Sequence, residues 1–356
     1  MKALSQKFLN IPDSVIECPI FPKCGGCQTL DLPYINQLIQ KQNFLQALFS
    51  SWNPLLHLTQ PSPKLTSYRN KILFPVSPSN PIRIGLFQAN THRVIETKQC
   101  AVTEEKLMLL AQKALKILKK HRIPGYNEFN YKGILRYLLF RYSHSTDQSL
   151  LALITNGPIK SEAVFHHLWE KLHPLGLVSL FSNINTARHN IILSQHSTLI
   201  HGNPYYEDQL LNRTFYIGAQ SFYQSNSSQA ELIYKKIAFY AKNHPGPIWD
   251  LYCGIGTISQ IISTEYPVIG VESTKEAVDL GNLAIQKNQL KNVQLINLDI
   301  DKFLKNPPYS PQLVVVNPPR QGLTPKLIEA LKILKPEAIL YLSCNPKSFK
   351  KNVLSL

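Results

Sequence analysis

The sequence predicts an α/β domain built on a parallel, doubly wound sheet, preceded by an α+β domain. Three observations carry this. From Pro247 onward short apolar runs alternate with helical ones, the first turn of that stretch holds a glycine pair, and the residues before 212 mix short strand-like runs with turns. A chain of 356 residues exceeds one ordinary core, so two domains are expected, 1–212 and 213–356.

In the first part, SYRNKILFPV, IRIGLF, RVIETKQC, GILRYLLFRYS and QSLLALITN alternate or bunch apolar residues between polar breaks, as strands do. Residues 106–120, KLMLLAQKALKILKK, have helical apolar spacing, and basic residues gather at the end where the helix dipole favours them. In the second part PIWDLY, PVIGV, NVQLIN, QLVVV and AILYLS are short apolar strands. TISQIIS, KEAVDLGNLAIQKN and TPKLIEALKIL are the helices between them. Near-continuous apolar strands mean burial on both faces, which is the parallel-sheet pattern.

Charge narrows the partners. Lysine and arginine number 38 against 22 acidic residues, giving a formal net charge of +16 and a pI of about 9.5. That balance suits a polyanion binder. No apolar run is long enough to cross a membrane, and MKALSQKFLNIPDSV lacks both the continuous apolar core and the cleavage site of a secretory signal. A cytoplasmic location is expected. In such a chain six cysteines point to metal binding or catalysis before disulfides.

The segment Asp250-Leu-Tyr-Cys-Gly-Ile-Gly-Thr257 follows a strand and opens a helix, where a nucleotide cofactor meets an open sheet. Glu272 ends the next strand, placed to accept from both hydroxyls of a ribose, and Asp299 follows the third, within reach of an adenine amino group. Position 259 is Ser, so the three-glycine dinucleotide pattern is missing. S-adenosylmethionine, which has no pyrophosphate to cradle, fits better. Cys253 inside this turn reads as a small packed residue.

Two further motifs lie at carboxyl ends of strands, Asn317-Pro-Pro-Arg-Gln-Gly322 and Ser343-Cys344-Asn345-Pro346. A thiol at such an edge is placed to be a nucleophile. Uracil carbon 5 accepts a methyl group only after a thiolate adds at carbon 6 and turns the ring into an enolate. A base must then remove the carbon-5 proton so that the thiol can leave.

With these residues the chain resembles the RNA (uracil-5-)-methyltransferases, in particular the iron-sulfur 23S ribosomal RNA enzymes, from about Cys18 to its last residues. The resemblance implies a Rossmann-like S-adenosylmethionine-dependent methyltransferase domain behind an iron-sulfur, RNA-binding α+β domain. It makes Cys344 the nucleophile. It places the cofactor contacts on Gln224 in SFYQSN, Tyr252, Thr257, Glu272, Asp299 and Asn317, the last standing where the family has Asp. Methyltransferases of exocyclic amino groups end the Asn-Pro-Pro string in an aromatic residue, and here Arg320 stands there. Cytosine-5 enzymes carry a second cysteine near this motif, and this chain has none there.

Cys18, Cys24 and Cys27 have the spacing C-x5-C-x2-C, and Cys100 follows much later. By spacing alone an iron-sulfur cluster and tetrahedral zinc are both compatible. The resemblance, which matches all four positions to the family's cluster motif, implies [4Fe-4S]. It also implies a monomer acting on RNA, with 23S ribosomal RNA preferred because the transfer-RNA branch generally lacks the cluster. Tyr68-Arg69-Asn70-Lys71, Arg136-Tyr137 and Arg141-Tyr142 interleave aromatics with bases, as an RNA-stacking surface or as solvated basic strands.

In the family two more strands and a catalytic glutamate follow the SCNP motif. Here the chain stops 13 residues after Ser343, and no residue takes the base's position. Three readings of function follow: a uridine-C5 methyltransferase of ribosomal RNA, one of transfer RNA, or an iron-sulfur RNA-binding protein without turnover.

Overall fold

The computed structural model describes residues 14–356 apart from 53, 189–190, 195–196 and 264–265. Residues 1–13, most of the stretch in which no secretory signal is expected, lie outside the described residues. Among the described residues helix α1 (Tyr34–Phe49) comes first. Strand β1 (Lys71–Pro75) then leads to the antiparallel pair β2 (Gly85–Phe87) and β3 (Val94–Glu96). Helix α2 (Glu105–Lys120) buries Leu107, Leu110, Ala111, Ala114 and Leu118, the i, i+3, i+4 stripe that its sequence shows.

The first sheet continues with β4 (Leu135–Tyr142) and β5 (Ser149–Thr155). Helix α3 (Glu162–Leu172) crosses over to β6 (Leu177–Ile184), and β7 (Ser197–Gly202) follows. The strand order is β1-β4-β5-β6-β7, with β5 and β6 parallel and the other neighbours antiparallel.

Strands β8 (Tyr206–Leu210) and β9 (Arg213–Ile217) form a hairpin. Its turn residues Leu211 and Asn212 both have positive φ, 50° and 59°, as a two-residue hairpin turn demands. A division between 212 and 213 therefore falls inside this hairpin. The hairpin is also bonded to the second sheet's layer, since Thr214 and Asn288 exchange hydrogen bonds of 2.9 Å.

Helix α4 (Ser227–Ala241) is capped by Asn226, whose side chain accepts from the Gln229 N–H. The second sheet then forms as the alternation predicts. Strand β10 (Ile248–Leu251) is followed by α5 (Thr257–Ile261), β11 (Val268–Glu272) and α6 (Lys275–Lys287). Strand β12 (Val293–Asn297), α7 (Ile300–Phe303), β13 (Leu313–Val316), α8 (Pro325–Leu334), β14 (Ala338–Tyr341) and α9 (Pro346–Val353) complete it. Its order is β12-β11-β10-β13-β14, all parallel. The winding direction reverses between β10 and β13, the place where open α/β sheets bind ligands.

One core joins the two sheets. Tyr137, Leu139, Leu150 and Ile154 of the first pack in the same cluster as Phe215, Ile248, Ile255, Val268 and Val315. The outer face of the first sheet packs under α2 and α3. That of the second packs under α7 and α8, where Trp249 and Phe303 meet edge-on at 4.9 Å.

The interleaved bases and aromatics of β4 are neither a stacking surface nor solvated. Arg136, Tyr137, Arg141 and Tyr142 are all buried. Arg141, 1% exposed, donates through Nη2 to the carbonyl oxygens of Ala219 and Ser221, and Arg136 donates through Nη1 to those of Asn185 and Ala187. Each cation is buried because carbonyls from other segments converge on it.

Candidate active site and cysteine pocket

The carboxyl edge of the second sheet opens on a cavity of about 990 Å³ lined by Gln224, Tyr252, Glu272, Asn317 and Cys344. Five of the seven expected catalytic and cofactor residues thus share one space. The other two do not line it. Thr257 is buried at the start of α5, and Asp299 caps α7 with its carboxylate accepting from the Asp301 N–H.

The glycine turn has a backbone that the chemistry of its residues explains. Tyr252, Gly254 and Gly256 all have positive φ, 62°, 57° and 70°. At Gly256 the left-handed φ of 70° favours glycine, and a Cβ there would also crowd the Leu295 side chain at 2.7 Å. Glu272 holds the turn from the next strand, where Oε2 accepts from the Gly254 N–H at 3.2 Å and Oε1 from the Thr274 N–H at 2.8 Å.

Beneath the turn, Asp250 is fully buried. Its Oδ2 accepts from the Ser259 N–H and hydroxyl, while Oδ1 has no hydrogen-bond partner among the described residues. Burial pushes this carboxyl up to about 7 against the stabilising Ser259 bonds.

The two thiols of this half differ in setting. Cys253 is tucked into the turn, and burial holds its thiol well above the ordinary range, reinforced by the Asp250 and Glu272 charges. Cys344 is exposed and lines the cavity. It sits just before α9, whose cap Asn345 accepts from the Lys347 N–H and donates to the Arg320 carbonyl oxygen at 3.4 Å.

The loops bearing Asn317 and Cys344 are also joined from below. Asn352 of α9 accepts at Oδ1 from the Leu323 N–H and from the Tyr341 hydroxyl, both at 2.9 Å. Sequence reasoning passed over Asn352, and also Phe222 and Ile233, which line the cavity. Phe222 is 59% exposed, and an aromatic ring left open at a strand-end cavity was the available signal in SFYQSN.

The other four cysteines lie elsewhere. Cys18, Cys24, Cys27 and Cys100 line a single pocket with Arg69. Among the described residues no group of three or more His, Cys, Asp or Glu stands in metal-holding geometry, so the thiols share a pocket without forming a closed ligand set. The sulfurs already receive hydrogen bonds, Cys24 from the Gly26 N–H at 3.3 Å and Cys100 from the Thr103 hydroxyl at 3.2 Å. Burial raises the Cys24 and Cys27 thiols, and the nearby Arg69 cation works against it. No helix among the described residues is long and apolar enough to cross a membrane.

A family model described as tRNA (Uracil-5-)-methyltransferase matches residues 207–356. A Bacillus cereus protein described as an uncharacterized RNA methyltransferase is 31% identical over 355 residues, covering 95% of this chain and 76% of the relative. A Clostridium tetani protein of the same description is 32% identical, covering 94% and 75%. Among solved structures, Pyrococcus abyssi tRNA (uracil-54, C5)-methyltransferase in complex with S-adenosyl-L-homocysteine superposes with a TM-score of 0.75 at 22% identity, over 94% of this chain and 80% of that one. That last likeness is one of fold.

Proposed function

The chain belongs to the RNA (uracil-5-)-methyltransferase family, and from that premise we propose that it moves a methyl group from S-adenosylmethionine to carbon 5 of a uridine in 23S ribosomal RNA, as a monomer, through a covalent adduct on Cys344. The observation that carries the reading is the common cavity. An exposed thiol and the carboxylate that organises the glycine turn face one space of about 990 Å³.

Each residue has a stated task. The Cys344 thiolate adds to uracil carbon 6, and the displaced electron pair makes carbon 5 nucleophilic. Carbon 5 takes the methyl group from sulfur, and the donor leaves as a thioether. A base then takes the carbon-5 proton, and the ring expels the thiolate. Glu272 and Gln224 hold the donor, with the turn at Tyr252 and Gly254 giving close backbone approach. Asn317 supplies an amide where the family has a carboxylate, keeping hydrogen bonds and losing charge. Thr257 and Asp299 act from behind the cavity wall.

We further propose a [4Fe-4S] cluster on Cys18, Cys24, Cys27 and Cys100, a reading that draws on the four thiols sharing one pocket and on the hydrogen bonds from Gly26 and Thr103, the kind of outer contact that thiolate ligands receive. Such a cluster would brace the first domain for RNA. Anaerobically purified protein should contain about four irons with matching sulfide. Stoichiometric zinc without iron would remove the assignment.

Transfer RNA is the second reading, favoured by the description of the matching family model. Methyl transfer to deproteinised 23S RNA and to bulk transfer RNA, run side by side, separates the two. Product in transfer RNA alone would overturn the ribosomal assignment.

A further inference from the structure

We infer that Asn70 is a positioning residue for the methyl-donor site, and that residues 67–70 couple that site to the four-cysteine pocket. The inference rests on the reading of those cysteines as cluster ligands.

Asn70 is 5% exposed, yet it belongs to neither site. Its side-chain nitrogen donates to the Gln224 carbonyl oxygen at 3.0 Å and to Ser227 Oγ at 2.7 Å. Its main-chain N–H donates to the Ser225 carbonyl oxygen at 2.9 Å, and its own carbonyl accepts from the Tyr142 N–H at 2.9 Å. Asn70 therefore fixes residues 224–227 against strand β4 by four hydrogen bonds. Gln224 and Ser225 line the donor cavity.

The residues just before Asn70 are bonded in the opposite direction. The N–H groups of Ser67, Tyr68 and Arg69 donate to the carbonyls of Ala101, Val102 and Val102, and the Glu104 N–H returns to the Arg69 carbonyl, all within 2.8–3.1 Å. That partner segment begins at Cys100, and Thr103 bonds the Cys100 sulfur. Arg69 completes the join, pairing in β-bridges with Thr103 on one side and Asn226 on the other while lining the cysteine pocket.

From Cys100 to Gln224 the connection is thus main-chain hydrogen bonding, with the one side chain of Asn70 at its end. Such a ladder has few internal freedoms. Fixing Cys100 in a ligand set fixes residues 101–104, then 67–70, and so the wall that carries Gln224. Coupling of this kind is reciprocal, so donor binding also steadies the cysteine pocket.

The test uses the full chain purified anaerobically, with iron and sulfide assayed first. Calorimetric titration with S-adenosylhomocysteine is then run before and after the metal is stripped by oxidation and chelation. Stripping should weaken binding by about fivefold or more. Asn70→Ala should keep its iron, bind S-adenosylhomocysteine about tenfold more weakly, and show no further loss on stripping. Ser227→Ala, which removes one partner from the start of α4, should show part of the same effect and serves if Asn70→Ala does not fold. Absence of iron overturns the cluster reading and the coupling with it, while the Asn70→Ala affinity still decides the positioning role. Iron present, with affinity unchanged by stripping and by both variants, overturns the inference alone.

Discussion

Phe349 meets Phe49 edge-on, with ring centroids 5.9 Å apart and planes at 79°. The helix that follows Cys344 therefore rests on α1, nearly the whole chain away. Lys350 Nζ adds a hydrogen bond to the Leu48 carbonyl oxygen at 2.6 Å, and Tyr341 closes the aromatic group 5.1 Å from Phe349. Phe49 is buried, so Phe49→Ala should cost about 3 kcal/mol of unfolding free energy. Urea denaturation checks this. A loss under about 1 kcal/mol would mean the contact is a loose surface one.

Cys344 should form a denaturation-resistant adduct with RNA containing 5-fluorouridine when S-adenosylmethionine is present, because fluorine does not leave as a proton does. Cys344→Ala should abolish the adduct, and Cys253→Ala, whose thiol burial keeps protonated, should retain it. The reverse pattern on a denaturing gel would reassign the nucleophile.

Asn352→Ala removes the acceptor shared by the Leu323 N–H and the Tyr341 hydroxyl, leaving the Asn317 and Cys344 loops joined on this side by the weaker Asn345–Arg320 hydrogen bond of 3.4 Å. Methyl transfer should slow by about tenfold or more, since misplaced reacting groups cost steeply. Asn352→Asp keeps an oxygen in place and should recover most of the rate. Equal rates in the two variants would show that the shared oxygen does not set the loop spacing.

Asp250 gives a pH test. Its carboxyl sits at about 7 when folded against an ordinary 3.8, so between those values the folded chain holds a proton that the unfolded chain has lost. The associated stability is full below about pH 4 and is lost as pH rises through about 7, a swing on the order of 4 kcal/mol. Asp250→Asn keeps an acceptor for Ser259 and lacks the titration. The variant should therefore gain on the parent between pH 5 and pH 8 in urea unfolding. A constant difference would mean that Asp250 titrates normally.

RNA affinity should fall linearly in a plot of log binding constant against log salt, as lysines and arginines displace counterions. The net charge of +16 makes a steep slope the expected result. A flat response in filter binding would remove the excess positive charge from the account of RNA recognition.

The second sheet was legible because burial on both faces leaves strands such as Leu313–Val316 with no polar residue to blur them. Cys344, Glu272 and Asn317 were legible because strand ends in a parallel sheet share one edge. Helix α1 was not. It buries Gln37 and Gln42 within its packed face, and Gln42 is satisfied by Thr59 and the His57 carbonyl, partners 17 and 15 residues away. Arg141 misled for the same reason, since the carbonyls that accept from it lie 78 and 80 residues on. Local sequence records the charge and not its distant acceptors. Asn70 and Asn352 were missed because a single amide carries no periodic signal.

The shared core between the sheets sets an order on biosynthesis. Tyr137, Leu139, Leu150 and Ile154 leave the ribosome roughly 100 to 180 residues before Ile248, Val268 and Val315, which cover them. Until then the nascent first sheet carries a bare apolar face, and at about 5–20 residues per second that interval lasts many seconds. A ribosome that pauses within residues 218–247 would prolong the exposure, whereas a pause near residue 356, once Val315 has cleared the exit tunnel, would not. Synonymous codons in that window therefore bear on yield, although they change no amino acid.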